Sequence, residues 1–439
     1  MIVLVQARIE ALCPGTFSGL FAYTESLKRV SFACGINDAM IKRILLCLTM
    51  TVIFAQNNYP IVLIHGYIGW GPEEMGDYHY WGGTQDLQEE LEKEGHTVFN
   101  VSVGPVSSNW ERAVEAFYQI KGGQVNYGKT HAERWSVIQK PYGKKYAGLY
   151  PEWDADHPVH IIGHSMGGQT ARMLLYQLKT VAYLDSSETF PDSSFLLGNA
   201  HLDWVSSITT IATPHNGTTL SNIVTRTLPF LQNFIGLAAV VGTKFYDFDL
   251  EHWGFERQIN ENWMSYYERM RNHPAWETKN ISAWDLSING AQELNTLLQA
   301  DPNVYYFSYT VSATHLDSAS GYHVPRDGIN LILKSKARTL GKEVAYWSDG
   351  STTDSTWFEN DGVVNTISQR GPTTGLNGAD PIAEYRPNEP LITGQWYTIG
   401  PLDMDHWYVI GHTANKKEEK AEIRTLYIEH AKLLKSLPK

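Results

Sequence analysis

Cysteine is scarce in this 439-residue chain and confined to one end: Cys13, Cys34 and Cys47 are the only three. From residue 48 onward no disulfide framework and no cysteine metal site can form. Positive charge is the second shortage. The formal net charge is −12 and no basic run interrupts it, so phosphate would repel the chain and nucleic acid is excluded as a general partner. The third is long hydrophobic runs. The two most apolar stretches, Ile44–Phe54 and Leu228–Gly242, are too short to cross a bilayer comfortably, so no stable transmembrane anchor is expected. Internal repeats and low-complexity segments are absent as well. What is abundant is apolar content, at 43%, enough for one large core or two medium ones.

The N-terminal region reads as targeting rather than fold. From Met40 the sequence runs MIKRILLCLTMTVIFAQ. Lys42 and Arg43 precede the apolar segment Ile44–Phe54, and Ala55 follows as a small residue. This predicts a signal peptide over 40–55 and secretion, with residues 1–39 an upstream extension that is not translated if Met40 is the initiator. The folded domain is then 56–439.

Within that domain, strands alternate with helices. Tyr59–Ile64, Thr97–Val103, Val159–Ile162, Val205–Ala212 and Tyr305–Val311 read as buried strands. Trp81–Glu94, the Ser108-capped segment to Lys121, Met166–Gln177 and Glu419–Leu437 read as helices. This alternation predicts an α/β fold with a mostly parallel central sheet and helices on both faces. Insertions are expected after Pro214 and between about Thr314 and Trp357.

One junction stands out, PVHIIGHSMGGQTARML, where a strand meets a helix at Gly163-His164-Ser165-Met166-Gly167. A Gly-x-Ser-x-Gly alone is common by chance. On a tight strand-to-helix turn it places the serine hydroxyl at a helix N-terminus, where free N–H groups can hold a developing oxyanion. A serine nucleophile then needs a base and an orienting carboxylate later in the chain. Histidines follow at 201, 215, 252, 273, 315, 323, 406, 412 and 430; His406, in GPLDMDHWYVIG, suits the order serine, acid, histidine. Asp361, in FENDGVVN, is a candidate acid, with Asp349, Asp354, Asp403 and Asp405 as rivals.

Nine ordered blocks resolve these alternatives by resemblance. IVLIHGYIGWG, YHYWGG, VGPVSSNWERAVEAFYQIKGG, VNYGKTHAERW, HIIGHSMGGQTARML, TTIATPHNGTTL, DFDLEHWGF, FENDGVVNTISQRGP and DMDHWYVIG resemble the bacterial lipases of the staphylococcal and thermophilic-bacillus type, co-linearly from about 59 to 437. The resemblance implies an α/β-hydrolase fold with a helical lid at 218–244. It implies hydrolysis of triacylglycerols at a lipid–water interface. Ser165 would be the nucleophile, His406 the base and Asp361 its carboxylate. The backbone N–H groups of Tyr67 and Met166 would be the oxyanion donors. A phospholipase or short-chain carboxylesterase on the same machinery, or an inactive lipase-like binding protein, are the alternatives.

Two departures concern metals, and no cofactor is expected to be required. The family's calcium carboxylates correspond to Tyr408 and Thr413 here, so no calcium is expected there. The family's zinc ligands correspond to Glu111, His131 and Glu251, but Val137 takes the place of the second histidine. That set could hold zinc weakly or simply form a polar cluster beneath Trp81.

Overall fold

The computed structural model describes residues 57–184, 186–220, 260–271 and 278–439. The expected upstream extension, the signal peptide and all of the expected lid beyond Leu220 lie outside the described residues, as does Glu251.

Seven strands form one sheet: β1 (Ile61–Ile64), β2 (Val98–Val101), β3 (Val159–His164), β4 (Val205–Ile211), β5 (Tyr305–Val311), β6 (Ile382–Glu384) and β7 (Trp396–Leu402). Their order is β2-β1-β3-β4-β5-β7-β6, and every neighbouring pair is parallel. Parallel strands are covered on both faces, which is why β1 and β3 are buried at every position.

Both covering layers can be traced through alternate residues of one strand. Ile208 of β4 and Tyr306 of β5 join the core that includes Phe117 of helix α2 (Asn109–Lys121) and Leu174 of helix α3 (Met166–Lys179). Their neighbours turn the other way. Thr209 and Tyr309 both reach His430 of helix α4 (Lys417–Ser436), at 2.6 and 3.0 Å. The period of two along a strand therefore sets which helix each residue meets.

The order of the strands positions the site. From β1 the chain passes to β2 at the edge, then returns across β1 to β3 and proceeds toward the opposite edge. The connections leaving β1 and β3 thus diverge, opening a crevice at the carboxyl ends of two adjacent strands. The loop after β1 carries Tyr67, and the turn after β3 carries Ser165.

By backbone contacts the chain divides into two units. The larger comprises Tyr59–Glu384 and Thr393–Ala431 and holds the whole sheet. The smaller includes 385–392 and 432–439 with Asn57, whose amide donates to the carbonyls of Leu434 and Leu437 at 2.8 and 2.9 Å. Among the described residues no helix is long and apolar enough to cross a membrane.

One expectation needs correcting, and two features add to what the sequence predicts. The helix expected over 81–94 is confined to α1 (Leu87–Lys93), because Gly82 and Gly83 take positive φ and Asp86 caps the helix through the N–H groups of Gln88 and Glu89. The 314–357 insertion contains a hairpin (Thr314–Asp317 with Tyr322–Pro325) and a helix (Leu331–Leu340). Strands β6 and β7 were not expected. β7 contains Gly400-Pro401, which reads as a loop, and the register shifts there between Ile399 and Leu402. Proline is tolerated in a strand at such an irregularity.

Candidate active site

Ser165 occupies the turn between β3 and α3 with φ 54° and ψ −127°. That backbone is costly for a residue with a Cβ and persists only when its surroundings enforce it. Here they do. The Ser165 N–H donates to Ile211 O at 2.8 Å, and Thr213 Oγ1 donates to Ser165 O at 2.8 Å. The flanking glycines allow the crossing itself. A Cβ at Gly163 would lie 2.4 Å from the Gly167 carbonyl carbon, and one at Gly167 would lie 2.1 Å from Ile64 O. Only glycine fits either place, so the spacing noticed in the sequence is a packing requirement.

The loop after β1 lies against this turn. A Cβ on Gly66 would come within 2.8 Å of Ser165 Cβ. Among the described residues the Tyr67 N–H meets no hydrogen-bond acceptor. Met166 opens α3, so its N–H has no partner within the helix. Two backbone donors therefore flank the serine.

The loop is held from beneath by a buried cation. Arg112 of α2 donates through Nε to Thr170 Oγ1 (3.0 Å), through Nη1 to Gly104 O (2.7 Å) and through Nη2 to His65 O. His65 accepts from the Val103 N–H at Nε2 (3.1 Å), so its proton sits on Nδ1 and donates to Gly66 O (2.9 Å). Burial first, and the Arg112 charge second, lower the His65 pKa to about 3.

Asp361 and His406 meet. His406 Nδ1 lies 2.7 Å from Asp361 Oδ2, and both side chains are buried. Asp361 accepts three further hydrogen bonds: from the Val363 and Val364 N–H groups at Oδ1 (2.8 and 2.7 Å) and from Gln369 Nε2 at Oδ2 (3.0 Å). The His406 ring sits beside His164, with centroids 4.7 Å apart, next to the residue preceding Ser165.

The rival residues are engaged elsewhere. Asp349 bonds Ser351, and Asp354 caps the short helix Ser355–Trp357. Asp403 pairs with Arg326, and Asp405 accepts from the N–H groups of Asn330, Trp407 and Tyr408. Among the described histidines after Ser165, His406 is the one whose ring contacts a carboxylate; His252 and His273 lie outside the described residues. This geometry can hold an imidazole in one tautomer, packed on the residue that precedes a strained serine with two donors at hand, an arrangement suited to acyl transfer.

At the residues expected for zinc, His131 Nε2 lies 3.4 Å from Glu111 Oε1, which also accepts from Asn280 Nδ2. His131 stacks on Trp110, with centroids 5.2 Å apart and planes 8° apart, rather than lying beneath Trp81. Trp81 packs instead on Tyr80, His164 and Tyr427. Glu111 and His131 are two of the four donors a tetrahedral zinc takes, and Val137 offers none. Among the described residues no group of three His, Cys, Asp or Glu side chains converges as an ion would need. Glu251, the third expected ligand, lies outside the described residues. Tyr408, at an expected calcium position, donates its hydroxyl to Glu422 Oε2 at 2.7 Å.

Sequence spacing gave no hint of two residues at this site. Tyr80 and His164 join the loop after β1 to the His406 loop through hydrogen bonds, between residues 84 and 242 apart in the chain. The tyrosine lies in the YHYWGG block, whose only sequence signal was its similarity.

The chain as a whole is similar to several known proteins. A family model described as the lipase-like, C-terminal domain matches residues 57–434. A lipase of Staphylococcus hyicus is 35% identical over 386 residues, covering 85% of this chain and 57% of that protein. The chain thus spans a little over half the length of that curated relative. Among solved structures, that of EstA from Clostridium botulinum is 37% identical with a TM-score of 0.76, covering 88% of this chain and 89% of the other. The crystal structure of Staphylococcus hyicus lipase is 33% identical with a TM-score of 0.76, covering 86% and 96%. The fold is of the α/β-hydrolase type.

Proposed function

This chain belongs to the lipase-like, C-terminal domain family, and from that premise we propose that it is a secreted lipase hydrolysing triacylglycerols at a lipid–water interface. The observation that carries this reading is the buried contact of His406 Nδ1 with Asp361 Oδ2 at 2.7 Å, beside the strained turn of Ser165.

In this reading the Ser165 hydroxyl adds to the ester carbonyl carbon as His406 Nε2 takes its proton. Asp361 accepts from Nδ1 throughout, so the ring presents its lone pair to the serine and its charge is balanced once protonated. The carbonyl oxygen becomes an oxyanion held by the N–H groups of Tyr67 and Met166. Losing one such donor costs on the order of 3 kcal/mol of barrier. The carbon–oxygen ester bond then breaks, the alcohol leaves with the His406 proton, and an acyl-enzyme remains. Water, deprotonated by His406, cleaves the acyl-enzyme and returns Ser165. Each step uses backbone donors and one imidazole, and none is routed through a metal. Secretion rests on the Lys42-Arg43 and Ile44–Phe54 pattern of the sequence.

The test is hydrolysis of a medium-chain triacylglycerol below and above its solubility limit, with Ser165→Ala as control. A Ser165-dependent rise in rate above the limit supports an interfacial lipase. Ser165-dependent activity without that rise points to an esterase. A folded chain inactive on this and on phospholipid emulsions would overturn the reading in favour of a binding protein.

A further inference from the structure

We propose that Tyr80 and His164 are positioning residues that fix the distance between the oxyanion loop and the His406 loop, a role that rests on the ester-hydrolase reading above. Neither residue is used in the steps written for that reaction. Both are buried at the point where three loops meet.

The atoms define a single directed chain of hydrogen bonds. The Gly66 N–H donates to Tyr80 Oη at 2.8 Å. Tyr80 Oη lies 2.7 Å from His164 Nδ1, and His164 Nε2 lies 3.0 Å from the His406 carbonyl oxygen. A carbonyl oxygen only accepts, so Nε2 carries the proton. Burial, and then the nearby His406 and His412 rings, keep His164 well below the ordinary histidine range, so the ring is neutral. Nδ1 is therefore a lone pair, and the Tyr80 hydroxyl must donate to it. Every group is committed in one sense: Gly66 N–H to Tyr80, Tyr80 O–H to His164, His164 N–H to His406 C=O.

The two ends of this chain are what make it functional rather than merely cohesive. One end is the amide of Gly66, the residue before the Tyr67 donor. The other is the backbone of the residue proposed as general base. The middle member directly precedes Ser165. A shift of about 1 Å between such groups costs on the order of a hundredfold in rate. Packing supports the same placement. His412 donates from Nε2 to Tyr80 O at 2.8 Å, and its ring stands edge-on to Tyr80 at 5.4 Å.

The experiment compares Tyr80→Phe, His164→Gln and His164→Leu with the unaltered chain, on a soluble chromogenic ester, reading kcat, KM and thermal midpoint. Tyr80→Phe removes the acceptor for Gly66 and the donor to His164. It is expected to lower kcat about 10- to 100-fold with KM unchanged. His164→Leu is expected to match it. His164→Gln restores an N–H toward the His406 carbonyl and is expected to recover most of kcat. The double variant Tyr80→Phe with His164→Leu should lose little more than either alone, since the residues act as one unit. Rates for Tyr80→Phe within twofold of the unaltered chain would overturn the proposal, as would Gln performing no better than Leu. Ser165→Ala separates this from the wider reading. If it abolishes hydrolysis while Tyr80→Phe does not, only the positioning role falls. If Ser165→Ala keeps full rate, or the unaltered chain hydrolyses no ester, both fall.

Discussion

Replacing Asp361 by asparagine tests the site with the smallest change of shape. The carboxylate accepts four hydrogen bonds, two at each oxygen. An asparagine has one oxygen and one NH2 group to place among the same four donors. With its oxygen toward the Val363 and Val364 N–H groups, its NH2 faces His406 Nδ1 and Gln369 Nε2. With its oxygen toward His406, its NH2 faces two buried backbone N–H groups. Leaving those two donors unpaired costs about 2–6 kcal/mol, at about 1–3 kcal/mol each. The first orientation therefore prevails. His406 Nδ1 must then accept, and its proton moves to Nε2, the nitrogen that should receive the serine proton. Gln369 cannot relieve the clash by flipping, because its Oε1 accepts from the Val311 N–H at 2.7 Å. The expected result is a fall in kcat of about ten-thousand-fold, equivalent to about 5 kcal/mol of barrier. The assay is initial-rate hydrolysis of a soluble chromogenic ester, with circular dichroism confirming that the variant folds. A folded variant within tenfold of the unaltered rate would refute the tautomer argument and the role of Asp361 with it.

Two further outcomes follow from buried groups of the fold. His65, His160 and His430 are buried, and burial lowers the pKa of each to about 3. Since the unfolded chain titrates them near 6.5, it binds more protons than the folded one between those values. Their contribution is complete above pH 6.5 and is lost as pH falls, at about 4 kcal/mol per pH unit for the three once below about pH 6. A cooperative acid transition is expected between about pH 6 and pH 4, followed by circular dichroism; an unchanged thermal midpoint from pH 7 to pH 4 would contradict it. Gly167→Ala puts a methyl against the Ile64 and His65 carbonyls. It should cost about 3 kcal/mol and lower the thermal midpoint by about 4 °C in a folded domain of this size. An unaltered midpoint would show that the turn has slack.

Legibility in the sequence followed distance along the chain. The strand, turn and helix around Ser165 could be read locally, because Gly163 and Gly167 register a close crossing only four residues wide. Ser108 could be read as a cap for the same reason, and the structure shows its side chain accepting from the Glu111 N–H. Spacing alone could not bring Asp361 to His406 or separate either from its rivals; resemblance supplied that pairing. β7 escaped notice because a glycine–proline pair and a register shift hide its period. The Tyr80–His164 link left no local trace at all, since a tyrosine and a histidine 84 residues apart have no pattern that predicts a bond. The stacking of His131 on Trp110 rather than a place beneath Trp81 shows the same limit within a short stretch.

The strand order also sets the sequence of events by which the site comes into being. β1 to β4, the Ser165 turn and the loop of Tyr67 all belong to the stretch from 61 to 211 and pair with one another. Asp361 and His406 come from the far end of the chain, and the His406 carbonyl closes onto His164 across 242 residues. Contacts of that range form late, because their loop-closure entropy must be met before they contribute. If Ser165 and His406 act as proposed, a nascent chain that has not yet reached residue 406 can hold its serine in place and still lack the base to activate it. In the proposed reading, onset of hydrolysis would therefore mark the completion of folding rather than the formation of the sheet.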